Sequence, residues 1–114
     1  MVLGLAMSAE AQVTLGVGAT AINGASTAVG TNAMADGDGA IVVGDDSTAT
    51  GADATVVGTD SSATGPSSTV VGGEAVAVGP GTTAIGWQSA ATGTRATALG
   101  HLATAQGERS LAVG

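Results

Sequence analysis

The side chains able to do chemistry are few here, and their types exclude more than they offer. There is one histidine, His101, no cysteine and no lysine, and the only basic side chains are Arg95 and Arg109. Covalent catalysis needs a nucleophile beside an activating base, and general acid–base chemistry needs positioned groups whose proton affinities suit the task. The nine acidic residues sit among glycines in segments that read as turns, so no nucleophile–base pair can be assembled from this set. None of the glycine runs continues into Gly-Lys-Ser between a strand and a helix, which removes a phosphate-cradling loop. The expectation is a protein without catalysis and without a cofactor.

What remains is recognition. Trp87 is the one residue of the Phe, Trp and Tyr class, and Trp and Arg are favoured contact residues. His101 follows Trp87 by fourteen residues, and Arg109 follows Arg95 by the same interval. Trp87, Arg95, His101 and Arg109 are therefore candidate ligand contacts. The competing reading packs Trp87 over a neighbouring subunit and pairs the arginines with Glu108 or another chain. Two further possibilities are weaker. Asp36-Gly-Asp-Gly39 and Asp45-Asp46, expected to lie near one another, could offer oxygens to calcium. Calcium-binding β-rolls, however, repeat every nine residues or so with an acid in each copy. Solvated turns are the better reading, and no metal site is expected. Thr48-Ala-Thr50 suggests a water-ordering threonine ladder, but Met34, Asp36, Val76, Val78 and Gln106 interrupt it in other copies.

The fourteen-residue interval governs the whole chain. Gly16, Gly30, Gly44, Gly58, Gly72, Gly86, Gly100 and Gly114 recur at it, each preceded by Leu, Val or Ile. A second series, Gly37 to Gly107, interleaves at the same period, with Asn23 in the first copy. Asn tolerates positive φ better than most residues, so this series predicts a left-handed backbone turn. Ala21, Ala35, Ala49, Ala63, Ala77, Ala91 and Ala105 form a third series. Such strict self-similarity means one short unit stacked on its own copies.

Numbering the main glycine as slot 14 gives seven coils, from 17–30 to 101–114. Slots 10 to 13 read Ser-Thr-Ala-Val29, Ala-Ile-Val-Val43 and so on, with no charge in any coil. Apolar or small residues on both alternating faces describe a strand buried on two sides. Slots 3 to 6 hold Ala or Ser on one face and mixed, often polar residues on the other, as in a half-exposed strand. The expected fold is therefore all-β: a parallel β-roll, or β-solenoid, with two short strands per coil. Slots 11 and 13 are expected inside the roll. Slots 10 and 12 are expected toward an oligomer axis, which makes Ala28, Val42, Val56, Val70, Ala84, Ala98 and Ala112 the axis candidates. A roll of small side chains buries little area, so self-association is expected on energetic grounds.

The formal charge of −7 repels phosphate backbones, so nucleic acid is not an expected partner. No apolar stretch approaches the roughly 20 residues of a spanning helix, so this segment is not expected to insert in a membrane. Residues 1–15 are expected as an N-terminal cap or signal-like remnant, with Ala9-Glu10-Ala11 resembling a cleavage site, and residues 16–114 as the roll.

Ser26-Thr-Ala-Val-Gly-Thr-Asn-Ala-Met-Ala-Asp-Gly37 and Ala96-Thr-Ala-Leu-Gly-His-Leu-Ala-Thr-Ala-Gln-Gly107 closely resemble the head repeats of trimeric autotransporter adhesins, the YadA-like heads. The resemblance runs from about Val13 to Gly114. It implies a left-handed parallel β-roll, a homotrimer, and display on the cell surface of a Gram-negative bacterium by an outer-membrane anchor elsewhere in the protein. It also implies attachment to extracellular matrix proteins or other host surfaces, without catalysis. Val42, Val56 and Val70 depart from the family, which usually has Ala at slot 12. Trimeric bacteriophage tail fibres offer an alternative, with the roll as a rigid shaft or receptor-binding element of a virion.

Overall fold

The computed structural model describes residues 12–114. Within them the chain alternates between two sheets, one strand to each sheet per coil. The longer strands run from β1 (Val13–Leu15) and β3 (Thr27–Val29) to β15 (Leu111–Val113) and form an eight-stranded sheet. Two-residue strands, from β2 (Thr20–Ala21) to β14 (Thr104–Ala105), form a seven-stranded sheet. Every pairing is parallel, with each residue opposite the one fourteen positions on, as in Thr27↔Ile41 and Ala21↔Ala35. The expected β-solenoid is thus present, 42 × 23 × 12 Å in extent. β1 pairs with β3 in this register, so the roll already includes Val13, inside the segment expected as a cap. Residues 1–11, with the proposed cleavage site, lie outside the described residues.

The facing of the longer strands is the reverse of the expectation. Ala28, Val42, Val56, Val70, Ala84 and Ala98 are completely buried within the single roll, and Ala112 packs against the same core. They meet the slot 3 and slot 5 residues of the opposite sheet and cannot line an oligomer axis. The slot 11 and slot 13 side chains point out instead: Ile41, Val43, Val57, Val71 and Ile85 are 38–41% exposed. The reason is thickness. A roll only 12 Å deep leaves room between its sheets for Ala, Ser and an occasional Val or Thr, so the bulkier series is turned outward. The slot 11 threonines, expected inward, are accordingly half-exposed.

Two turns close each coil, and both place φ > 0 at their third residue, as type II turns do. At slot 2 this is Asn32, Asp46, Asp60, Glu74, Gln88 and Leu102, with φ of 52–62°. At slot 9 it is Asp53, Ser67, Arg95 and Arg109 at 55–58°, with Gly39 and Gly81 in the same place. Pro66 and Pro80 take the second position, whose φ suits proline. The slot 7 glycines, expected at positive φ, are not there, and neither is Asn23. In that first turn the positive φ moves to Gly24. Slot 7 demands glycine for another reason: a Cβ on Gly37, Gly51 or Gly65 would run into the carbonyl of the slot 7 residue in the next coil. The slot 14 glycines all have φ of 107–156°, and from Gly16 to Gly86 the next coil's carbonyl is equally close, so those positions combine both demands.

The ladder of backbone bonds continues through the turns. Asp46 N–H donates to Thr31 O at 2.8 Å, and Asp53 N–H to Asp38 O at 2.8 Å. Inside, serines bridge coils. Ser61 Oγ donates to Gly72 O at 2.6 Å and accepts from Ala75 N–H at 3.1 Å, and Ser47 does the same one coil earlier. These bonds satisfy turn groups that a narrow, dry interior would otherwise leave unpaired.

Candidate binding surfaces

The alternation of strand and turn gives the roll two edges and two faces. One edge is the stack of slot 14-to-2 turns, the other the stack of slot 7-to-9 turns. Trp87 is the second residue of a turn on the first edge, a position whose side chain points away from the core, and it is 47% exposed. His101 occupies the equivalent place one coil on, and the rings stack with centroids 4.9 Å apart and planes 26° from parallel. On its other side Trp87 leans over Gly73, where a Cβ would lie 3.3 Å from Trp87 Cδ1. Gln88 Nε2 donates to Glu74 Oε2 at 2.7 Å along the same edge.

Arg95 and Arg109 are third residues of turns on the opposite edge. Arg109 Nε lies 3.8 Å from Glu108 Oε1, both side chains being mostly exposed, a pair of little energetic weight. The structure therefore unites Trp87 with His101 and aligns Arg95 with Arg109. Within one chain it does not bring the aromatic pair to the arginines.

The acidic groups are separated in the same way. Asp38 belongs to the slot 7-to-9 edge and Asp36, at slot 6, borders it, whereas Asp45 and Asp46 belong to the other edge, so the expected proximity of these pairs does not occur. Their oxygens hold the turns: Asn23 Nδ2 donates to Asp36 Oδ1 at 2.8 Å, Thr31 N–H to Asp45 Oδ1 at 2.9 Å, and Asn32 Nδ2 to Asp46 Oδ1 at 3.0 Å. Among the described residues no group of three or more His, Cys, Asp or Glu is placed to hold a metal ion. A shallow groove of about 450 Å³ lies between Asn23, Asp36, Asp38 and Thr50 and opens broadly to solvent.

The two faces differ. The outer face of the seven-stranded sheet is mixed, with Thr50, Thr64 and Thr92 exposed. The outer face of the eight-stranded sheet carries no charge. It presents Val43, Val57, Val71 and Ile85 in a row, each 38–41% exposed, beside the slot 11 threonines. A continuous apolar stripe of this kind marks an interaction surface. Sequence reasoning found the uncharged strand but chose the wrong side of it. The usable signal was size, since slots 10 and 12 hold the smaller residues.

The family-model comparison identifies the repeat. The sequence matches the profile of the YadA head domain repeat over residues 23–47, 35–61, 63–89 and 91–114. Among solved structures it is similar to the collagen-binding domain of the Yersinia adhesin YadA, with 27% identity over 84% of this chain and 69% of that one, at a TM-score of 0.41. No curated protein sequence gives a match. Fourteen-residue coils, two strands in each and profile matches along most of the chain place this protein in the YadA head repeat family.

Proposed function

We propose that the chain is the binding head of a homotrimeric surface adhesin, without catalysis, attaching its cell to an extracellular matrix protein or to another surface. Family membership supports the adhesin-like role. The observation that carries the assembly is the charge-free stripe of Val43, Val57, Val71 and Ile85, which a lone roll leaves wet. Two further copies of this chain are its occupants. Each presents the same face, and three such faces closing on an axis remove every exposed slot 11 and slot 13 side chain from water. Display at the cell surface follows from the same reading.

Ligand contact is assigned to the outer surface and the turn edges of the C-terminal coils, around Trp87, Arg95, His101 and Arg109. The acidic coils around Asp45 and Asp46 stay solvated. Contacts on such a surface are shallow, so threefold display and many fibres per cell raise a modest affinity. The test compares collagen and fibronectin binding by Trp87→Ala, Arg95→Ala and Asp46→Ala, with sedimentation as the check of assembly. Loss in the first two variants and not the third is expected. Equal binding by all three removes the ligand role of these edges.

A further inference from the structure

Within one protomer the breadth of the roll separates Trp87 and His101 from Arg95 and Arg109. The trimer proposed above, on which this inference rests, changes their relation. Three flat faces closing around an axis parallel to the stack form a triangular prism. Each corner then joins unlike edges: the slot 14-to-2 turns of one protomer meet the slot 7-to-9 turns of the next. Rotational symmetry keeps equal coils at equal height, so the coil that holds Trp87 faces the neighbour's coil that holds Arg95.

We infer that each corner of the trimer assembles a composite aromatic–cationic contact, in which Trp87 and His101 of one protomer pack against the partner's Arg95 and Arg109. Three observations favour it. Trp87 is half exposed, and the charged side chain nearest along its own edge is Glu74, one coil before, while both arginines stand on the other edge. Arg95 has no carboxylate partner among the described residues. Trp and guanidinium groups attract one another through the ring quadrupole and the flat stacking surface of each. Other heights are unlike this one. In the third coil Asp45 and Asp46 face the partner's Asp53, like charges that keep the corner hydrated. The corners therefore close at the C-terminal coils, and the candidate ligand residues become one contiguous surface only on assembly.

The test uses the absence of cysteine. Thr59→Cys with Pro66→Cys places one thiol on each edge of one coil, at exposed positions of ordinary φ and away from the Trp87 coil. A short thiol–thiol cross-linker should convert this protein into covalent trimers, and either single variant should stay unlinked because the corner joins unlike edges. Trp87 emission, free of other Trp or Tyr, should shift when Arg95 is changed to Glu, although the two residues occupy opposite edges of their own chain. Sedimentation separates the possible failures. A monomer overturns the trimer reading and this inference with it. A trimer that does not cross-link overturns the joining of unlike edges on which the contact depends, and a trimer whose Trp87 emission ignores Arg95→Glu overturns the corner contact alone.

Discussion

A Cβ added to Gly65 would collide with the Gly79 carbonyl, and backbone cannot yield there without breaking the stack. Gly65→Ala should therefore destabilise by about 3 kcal/mol, the upper range for overpacking, and Gly65→Val by more. Gly81 differs. It needs only positive φ, and the nearest atom to its added Cβ is Arg95 Cγ at 3.6 Å, so Gly81→Asn should cost under about 1 kcal/mol. Urea unfolding of the three variants checks the contrast. The buried hydroxyls make a second pair. Ser61→Ala strips the Gly72 carbonyl and the Ala75 amide of a partner and should cost roughly 1–3 kcal/mol. Ser26 Oγ is buried and bonds to nothing among the described residues, so Ser26→Ala should be neutral or slightly stabilising by the same measurement.

Neighbouring positions of one strand face opposite environments, so a charge tests each face. Val56 is completely buried in the roll, whereas Val57 is 41% exposed on the uncharged sheet face. Val56→Asp places an unpaired carboxylate in a dry interior and should abolish the β circular-dichroism signal, since such burial costs far more than a domain's margin of stability. Val57→Asp brings three carboxylates toward the proposed axis. It should leave the coil folded and shift sedimentation from trimer toward monomer. A Val57→Asp protein that still sediments as a trimer would remove this face from the interface.

The whole molecule is quasi-one-dimensional, each coil touching only its neighbours, so its stability is additive along the stack. Deleting residues 45–58 removes one complete coil and joins Gly44 to Thr59 in unchanged register. That protein should fold and assemble with reduced thermal stability and a more compact sedimentation profile. Deleting only 45–51 sets slot 8 where slot 1 belongs, exchanging the two strand types between sheets, and should yield no cooperative unfolding transition. Circular dichroism on both deletions checks the period as the unit of folding.

The fourteen-residue period, the two strands of each coil, the parallel register and the glycine at every slot 14 were all legible in the sequence. Each depends on one coil matching the next, and a strict repeat states that directly. The pairing of Trp87 with His101 followed from the same interval. What only the tertiary structure decided was which side of the longer strand is inside. Alternation identifies two faces without saying which one meets the opposite sheet. The distance between sheets settles that, and here it admits Ala28 and Val56 but turns Val57 and Ile85 out. The reason for glycine at slot 7 was hidden likewise. A composition series cannot distinguish a torsional demand from a close approach, and the carbonyl that excludes a Cβ at Gly65 belongs to a residue fourteen positions away, brought there by the stacking of coils.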